Sequence, residues 1–126
     1  PLAVVDRRMG GDGSIQVHGV IGDVTGHDVI FFDDEIITGR SILEGAAAVK
    51  DRGAKNIYAG CVHGTLTSET IERLDQSGLE GVAITDTIPL PAGQGNPKVQ
   101  VCSVASLFAN AIRAIHEETS ISALFN

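Results

Sequence analysis

The most constraining stretch of the chain is Val29-Ile30-Phe31-Phe32-Asp33-Asp34-Glu35-Ile36-Ile37-Thr38-Gly39-Arg40-Ser41-Ile42. Four apolar residues, rich in branched and aromatic side chains, run straight into carboxylates. This is the pattern of a buried parallel strand whose carboxyl end reaches solvent. Thr38-Gly39-Arg40-Ser41 then reads as a short loop in which glycine lets the backbone bend, with Thr38 or Ser41 placed to cap a helix beginning near Ile42. In open α/β sheets ligands bind outside the carboxyl ends of the strands, where a helix N-terminus offers unpaired N–H groups and the positive end of a dipole to a phosphate. Ile37, Thr38, Gly39, Arg40 and Ser41 are therefore a candidate phosphate cradle. Acids beside such a cradle suit a sugar phosphate, whose vicinal hydroxyls donate to the carboxylates of Asp33 and Asp34 while its phosphate takes the loop amides. The plainer alternative is a solvated strand end above a capped helix, with no ligand at all.

Around this stretch, strand and helix alternate. Residues 2–5 read as a short apolar strand ending in Asp6-Arg7-Arg8, and the glycine-rich run Met9-Gly10-Gly11-Asp12-Gly13 as a mobile loop with cations at its root. Residues 15–21 alternate apolar and polar as a half-buried strand, antiparallel to the first, and residues 22–28 turn into the central strand. A helix over 42–52 closes on cations and Gly53. A strand over 56–61 empties into Val62-His63-Gly64-Thr65-Leu66, and Thr67 or Ser68 caps a helix to about Gln76. A strand over 81–85 ends in Asp86, and residues 91–97 form a polar loop. A strand over 98–102 follows, then a helix capped by Ser103 through about His116, and one more helical turn over 120–125. This spacing is that of βαβ units, so the expected fold is α/β, a mostly parallel sheet flanked by helices, with an antiparallel hairpin at the N-terminal end.

At 126 residues the chain is one domain's worth, and a hydrophobic content of 43% with 15 glycines suits a compact α/β core. A net charge of −7 argues against a binder of nucleic acid polymers, which need a basic face. No apolar run approaches the roughly 18 residues of a membrane span, and no export leader is evident, so the expected location is the cytoplasm. Cys61 and Cys102 lie in apolar runs without a CxxC arrangement and read as small buried hydrophobes. His18, His27 and His116 lack metal-ligand spacing, and no protein metal site stands out. His63 sits at a strand end, facing either the ligand cleft or solvent. Asp86, between Thr85 and Thr87, reads as a turn stabiliser.

The order of apolar strand, two acids, three residues and Thr-Gly resembles the ribose-5-phosphate motif of the type I phosphoribosyltransferase superfamily. Three further stretches narrow the likeness: Asn56-Ile57-Tyr58-Ala59-Gly60-Cys61-Val62-His63-Gly64-Thr65-Leu66, Val82-Ala83-Ile84-Thr85-Asp86-Thr87-Ile88-Pro89-Leu90, and the ending with Ala111-Ile112-Arg113-Ala114-Ile115-His116 and Ser120-Ile121-Ser122-Ala123-Leu124-Phe125. Together they resemble the ribose-phosphate pyrophosphokinase family over nearly the whole chain. The resemblance implies a phosphoribosyltransferase-like domain from the C-terminal part of such an enzyme, about its last two-fifths. It implies transfer of pyrophosphate from Mg²⁺-bound ATP to ribose 5-phosphate, in a homo-oligomer, commonly a hexamer. By position, Asp33 and Asp34 would hold ribose hydroxyls, Ile37, Thr38, Gly39, Arg40 and Ser41 the 5-phosphate, and Arg7 and Arg8 the charge on the transferred group. The chain also departs from the family pattern. A lysine and an arginine of the family loop are Arg7 and Met9 here. A third acid is Ile37, a small residue is Arg40 and a threonine is Ser41. These departures leave a non-catalytic sugar-phosphate-binding or regulatory relative as the second expectation. A receiver-like signalling domain is a distant third, disfavoured by the Thr-Gly placement and by the absence of a late lysine at a strand end.

Overall fold

The computed structural model describes residues 1–9, 11, 15–91 and 95–125. Two antiparallel strands, β1 (Val4–Met9) and β2 (Ile15–Ile21), form a hairpin separate from the main sheet. The chain then builds β3 (Val29–Ile36), α1 (Arg40–Asp51), β4 (Ile57–Gly64), α2 (Ser68–Asp75), β5 (Gly81–Thr85), β6 (Val99–Cys102), α3 (Ala105–His116) and a final 3₁₀ turn, Ile121–Phe125. Strands β3, β4, β5 and β6 lie side by side in that order, every pair parallel. The α/β architecture expected from the sequence is thus the one observed, hairpin included.

The core lies between one face of this sheet and the crossover helices. Ile42, Ala46 and Val49 of α1, together with Ile71 and Leu74 of α2, meet Ile57, Ala59, Val82 and Ile84 of the strands. Helix α1 comes down close because Gly45 has no side chain: a Cβ there would stand 3.1 Å from the Phe31 ring. Among the described residues the opposite sheet face is uncovered, with Phe32 79%, Ile30 54% and Val62 45% exposed, and α3 buries none of its residues. The hairpin is anchored toward α1, where Arg52 donates from Nη1 to the Val20 carbonyl at 3.3 Å.

Several boundaries differ from the sequence reading, for one shared reason. Polar residues in the sequence suggest strand ends, yet a strand continues wherever its backbone groups find ladder partners. Strand β1 runs on through Arg7 and Arg8 to Met9, with Arg7 opposite Val17 and Arg8 opposite Gln16, past a bulge at Asp6/Arg7. The two cations are strand residues, near the end of β1. Strand β3 carries Asp33, Asp34 and Glu35 within it, and β4 extends through Val62 and His63 to Gly64. Residues 10, 12–14 and 92–94, where the sequence suggests a mobile glycine loop and a polar loop, lie outside the described residues.

Candidate functional site

The carboxyl end of β3 opens into a hollow of about 190 Å³ lined by Asp33, Glu35 and residues 36–42. Of the sequence candidates, Asp33, Ile37, Thr38, Gly39, Arg40 and Ser41 are brought together here. Asp34 is not among the lining residues. Side chains on a strand alternate between faces, so Asp33 shares its side with Glu35, two residues on, and not with its neighbour. Arg7 and Arg8 do not line the hollow either. Arg8 is instead paired with Asp6 on its own strand, Nη2 to Oδ2 at 3.1 Å.

The turn from β3 into α1 is held from several sides. Gly39 is the helix N-cap at φ 71°, in the left-handed region that a side chain makes costly, and no side chain caps the helix. The expected cap from Thr38 or Ser41 is therefore replaced by a glycine bend. Arg40 and Ser41 belong to the first turn of α1, and the Thr38 hydroxyl takes only a long contact from the Arg40 amide, 3.4 Å. The first amide to close on the helix is that of Leu43, bonded to the Gly39 carbonyl at 3.0 Å. The amides before it are those a helix leaves without an intrahelical partner, and they border the hollow. From across the fold, the buried Thr70 hydroxyl of α2 donates to the Ile37 carbonyl at 2.8 Å, fixing the loop's height above the sheet. Thr70 and Glu35 were missed in the sequence. The period-2 step from Asp33 pointed to Glu35, while nothing local points from residue 37 to residue 70.

On the acid side, Asp33 Oδ1 accepts the Asp34 amide and Asp34 Oδ1 the Glu35 amide, both at 3.0 Å, and Thr65 donates its hydroxyl to Glu35 Oε1 at 2.8 Å. Each carboxylate is thereby oriented by one donor and retains acceptor capacity for a hydroxyl-bearing ligand. On the cradle side, Arg40 Nε donates to Glu44 Oε1 at 2.6 Å, which raises the pKa of the guanidinium further. The hollow thus joins acceptors on β3 to helix-end donors and a cation on α1.

Residues 16–126 match the family described as the phosphoribosyl synthetase-associated domain. The chain belongs to that family. The chain is 46% identical over 125 residues to a ribose-phosphate pyrophosphokinase of Caldanaerobacter subterraneus subsp. tengcongensis, and 42% identical to one of Fusobacterium nucleatum subsp. nucleatum. Each alignment covers 99% of this chain and 40% of the relative, so the chain spans about two-fifths of the length of these curated relatives. A crystal structure of phosphoribosylpyrophosphate synthetase from Mycobacterium smegmatis has the same fold, with a TM-score of 0.76 and 35% identity, covering 83% of this chain and 34% of that one.

The neighbouring strand ends carry polar groups of a different kind. His63 Nδ1 lies 2.9 Å from the Thr87 hydroxyl, and Thr85 and Thr87 both donate to the Val62 carbonyl, at 2.6 and 3.0 Å. This ties the end of β4 to the turn after β5. Burial pushes the Cys61 thiol up, and the carboxylates of Asp33 and Glu35 add to the effect, against a hydrogen bond with the Ile36 backbone. Cys102 is exposed, against expectation, because it stands on the sheet face that no helix covers. Among the described residues no group of three or more His, Cys, Asp or Glu side chains is placed to hold a metal ion, and no helix is long and apolar enough to cross a membrane.

Proposed function

We propose that this chain is the sugar-phosphate-holding part of a ribose-phosphate pyrophosphokinase, from the C-terminal portion of that enzyme. The observation that carries the reading is the single hollow in which hydroxyl acceptors (Asp33 and Glu35) and the glycine-turned helix start (Ile37, Thr38, Gly39, Arg40, Ser41) face one space. The phosphate of ribose 5-phosphate takes the helix-end donors and the ribose hydroxyls take the carboxylates. Asp34 belongs to the reading only as the residue whose backbone Asp33 holds.

In the reaction, the anomeric oxygen forms a bond to the β-phosphorus of ATP, the bond from that phosphorus to the α-phosphate oxygen breaks, AMP leaves and the anomeric proton is released. Magnesium enters as the complex with ATP and neutralises phosphate charge. Positioning and charge neutralisation supply the rate in such a transfer. In this reading Arg7 and Arg8 serve the transferred group from the β1–β2 hairpin, which has to bring them over the hollow. The reading further places the enzyme in the cytoplasm as a homo-oligomer, and a hexamer is the form the family resemblance implies.

The test is AMP formation from ATP and ribose 5-phosphate by the complete protein that carries this chain. Turnover is expected, and it falls at least tenfold when Asp33 is replaced by Ala, the scale of losing an oriented charge-assisted contact. Binding of ribose 5-phosphate without AMP formation is the outcome for a non-catalytic relative, the second reading. That reading is favoured by Met9 and Arg40, which stand where the family pattern has a cation and a small residue.

A further inference from the structure

Arg40 lines the hollow while its Nε is engaged by Glu44 one helical turn further on, at 2.6 Å, and the Arg40 side chain remains 67% exposed. A guanidinium has five N–H donors in a rigid plane, and Nε uses one. Among the described residues no hydrogen bond is made by its terminal amino groups. Glu44 is only 31% exposed in its side chain and sits on α1 one turn past its start, so it is a comparatively fixed anchor. A long arginine on an exposed helix end otherwise samples many rotamers, most of them away from the loop, and loses that freedom on binding.

We propose that Glu44 is a positioning residue for the phosphate hollow: it pins Arg40 through Nε so that the terminal amino groups are offered to the phosphate of the ligand. The inference rests on the sugar-phosphate reading of the hollow and adds to it a residue outside its lining. It also decides what an arginine does at a position where the family pattern has a small residue. Arg40 clamps the phosphate; it does not plug the space. The opposite arrangement, in which Glu44 competes with phosphate for Arg40, predicts the reverse effect of removing the carboxylate.

Titration calorimetry of the full chain with ribose 5-phosphate, and separately with unphosphorylated ribose, distinguishes the two. Glu44→Ala is expected to weaken ribose 5-phosphate binding about threefold, and Arg40→Ala roughly tenfold, the scale of a charge-assisted contact to phosphate. Glu44→Gln keeps an oxygen acceptor for Nε and is expected to restore wild-type affinity within about twofold. The double variant Arg40→Ala with Glu44→Ala is expected to match Arg40→Ala alone, because the pin acts only through the arginine. Ribose affinity is expected to be unchanged throughout. Tighter binding in both Glu44 variants, or a Glu44→Ala effect that persists without Arg40, overturns the pin and leaves the sugar-phosphate site standing. Absence of ribose 5-phosphate binding in every chain, wild type included, overturns the site and the pin together.

Discussion

At the scale of single residues, the site depends on a few positions whose roles are conformational. Gly39 holds φ 71°, and a Cβ there would meet Thr70 and Leu74 at an ordinary 3.6 Å, so the penalty of a side chain lies in the backbone and not in crowding. Gly39→Ala is expected to cost about 1–2 kcal/mol, read by chemical denaturation. Thr70→Val keeps shape and burial but removes the hydroxyl that donates to the Ile37 carbonyl. It is expected to cost about 1 kcal/mol and to weaken phosphate binding by letting the loop drift, with denaturation and calorimetry as the paired readouts. Residues 37–41 were legible as the turn from strand to helix because loop chemistry is local: a glycine there lets the backbone bend. The partnership of Asp33 with Glu35 was half legible, since adjacent acids invite reading as a pair while the pleat separates them. Thr70 was not legible, because its hydrogen bond spans 33 residues of sequence.

At the scale of elements, the order of strands and helices was readable from alternating apolar runs and turn residues, whereas strand ends were not. Arg7, Arg8, Asp33, Glu35 and His63 all lie in strands because their backbones are paired, whatever their side chains prefer. The start of α3 shows the same limit. Ser103 was the expected cap, and it does accept the Ala105 amide at 3.3 Å, but the N-cap is Val104, whose own amide is taken by Asp86 Oδ1 at 2.8 Å from the turn after β5. Hydrogen bonds from the Ser103 side chain and the Val104 backbone hold the Asp86 carboxyl below its usual value of 3.8. A carboxyl with a lowered folded pKa adds stability that is present above pH 3.8 and lost as pH falls through the lower folded value. The first turn of α3 is therefore expected to fray in acid below about pH 3.8, visible as loss of amide protection at the helix start. Asp86→Ala is expected to abolish that pH dependence.

At the scale of the whole molecule, the described residues cover the sheet on one face only. Parallel sheets ordinarily bury both faces, and here Phe32, Ile30 and Val62 stand exposed on one of them while α3 carries Ile112 and Ile115 at 66% and 68% exposure. The two cysteines report the two faces. Cys102 on the open face is expected to react with a thiol reagent in the folded chain, and Cys61, buried with its thiol pKa raised, to react only on unfolding, as mass spectrometry of labelled peptides would show. The central claim, that the carboxyl end of β3 and the start of α1 form one site for a phosphorylated pentose, is tested most directly by following backbone amide resonances while ribose 5-phosphate is added. Saturable shifts are expected at residues 33–42, lost in Asp33→Ala and far weaker with unphosphorylated ribose. Saturable shifts elsewhere in the chain, or equal shifts with and without the phosphate, would contradict it.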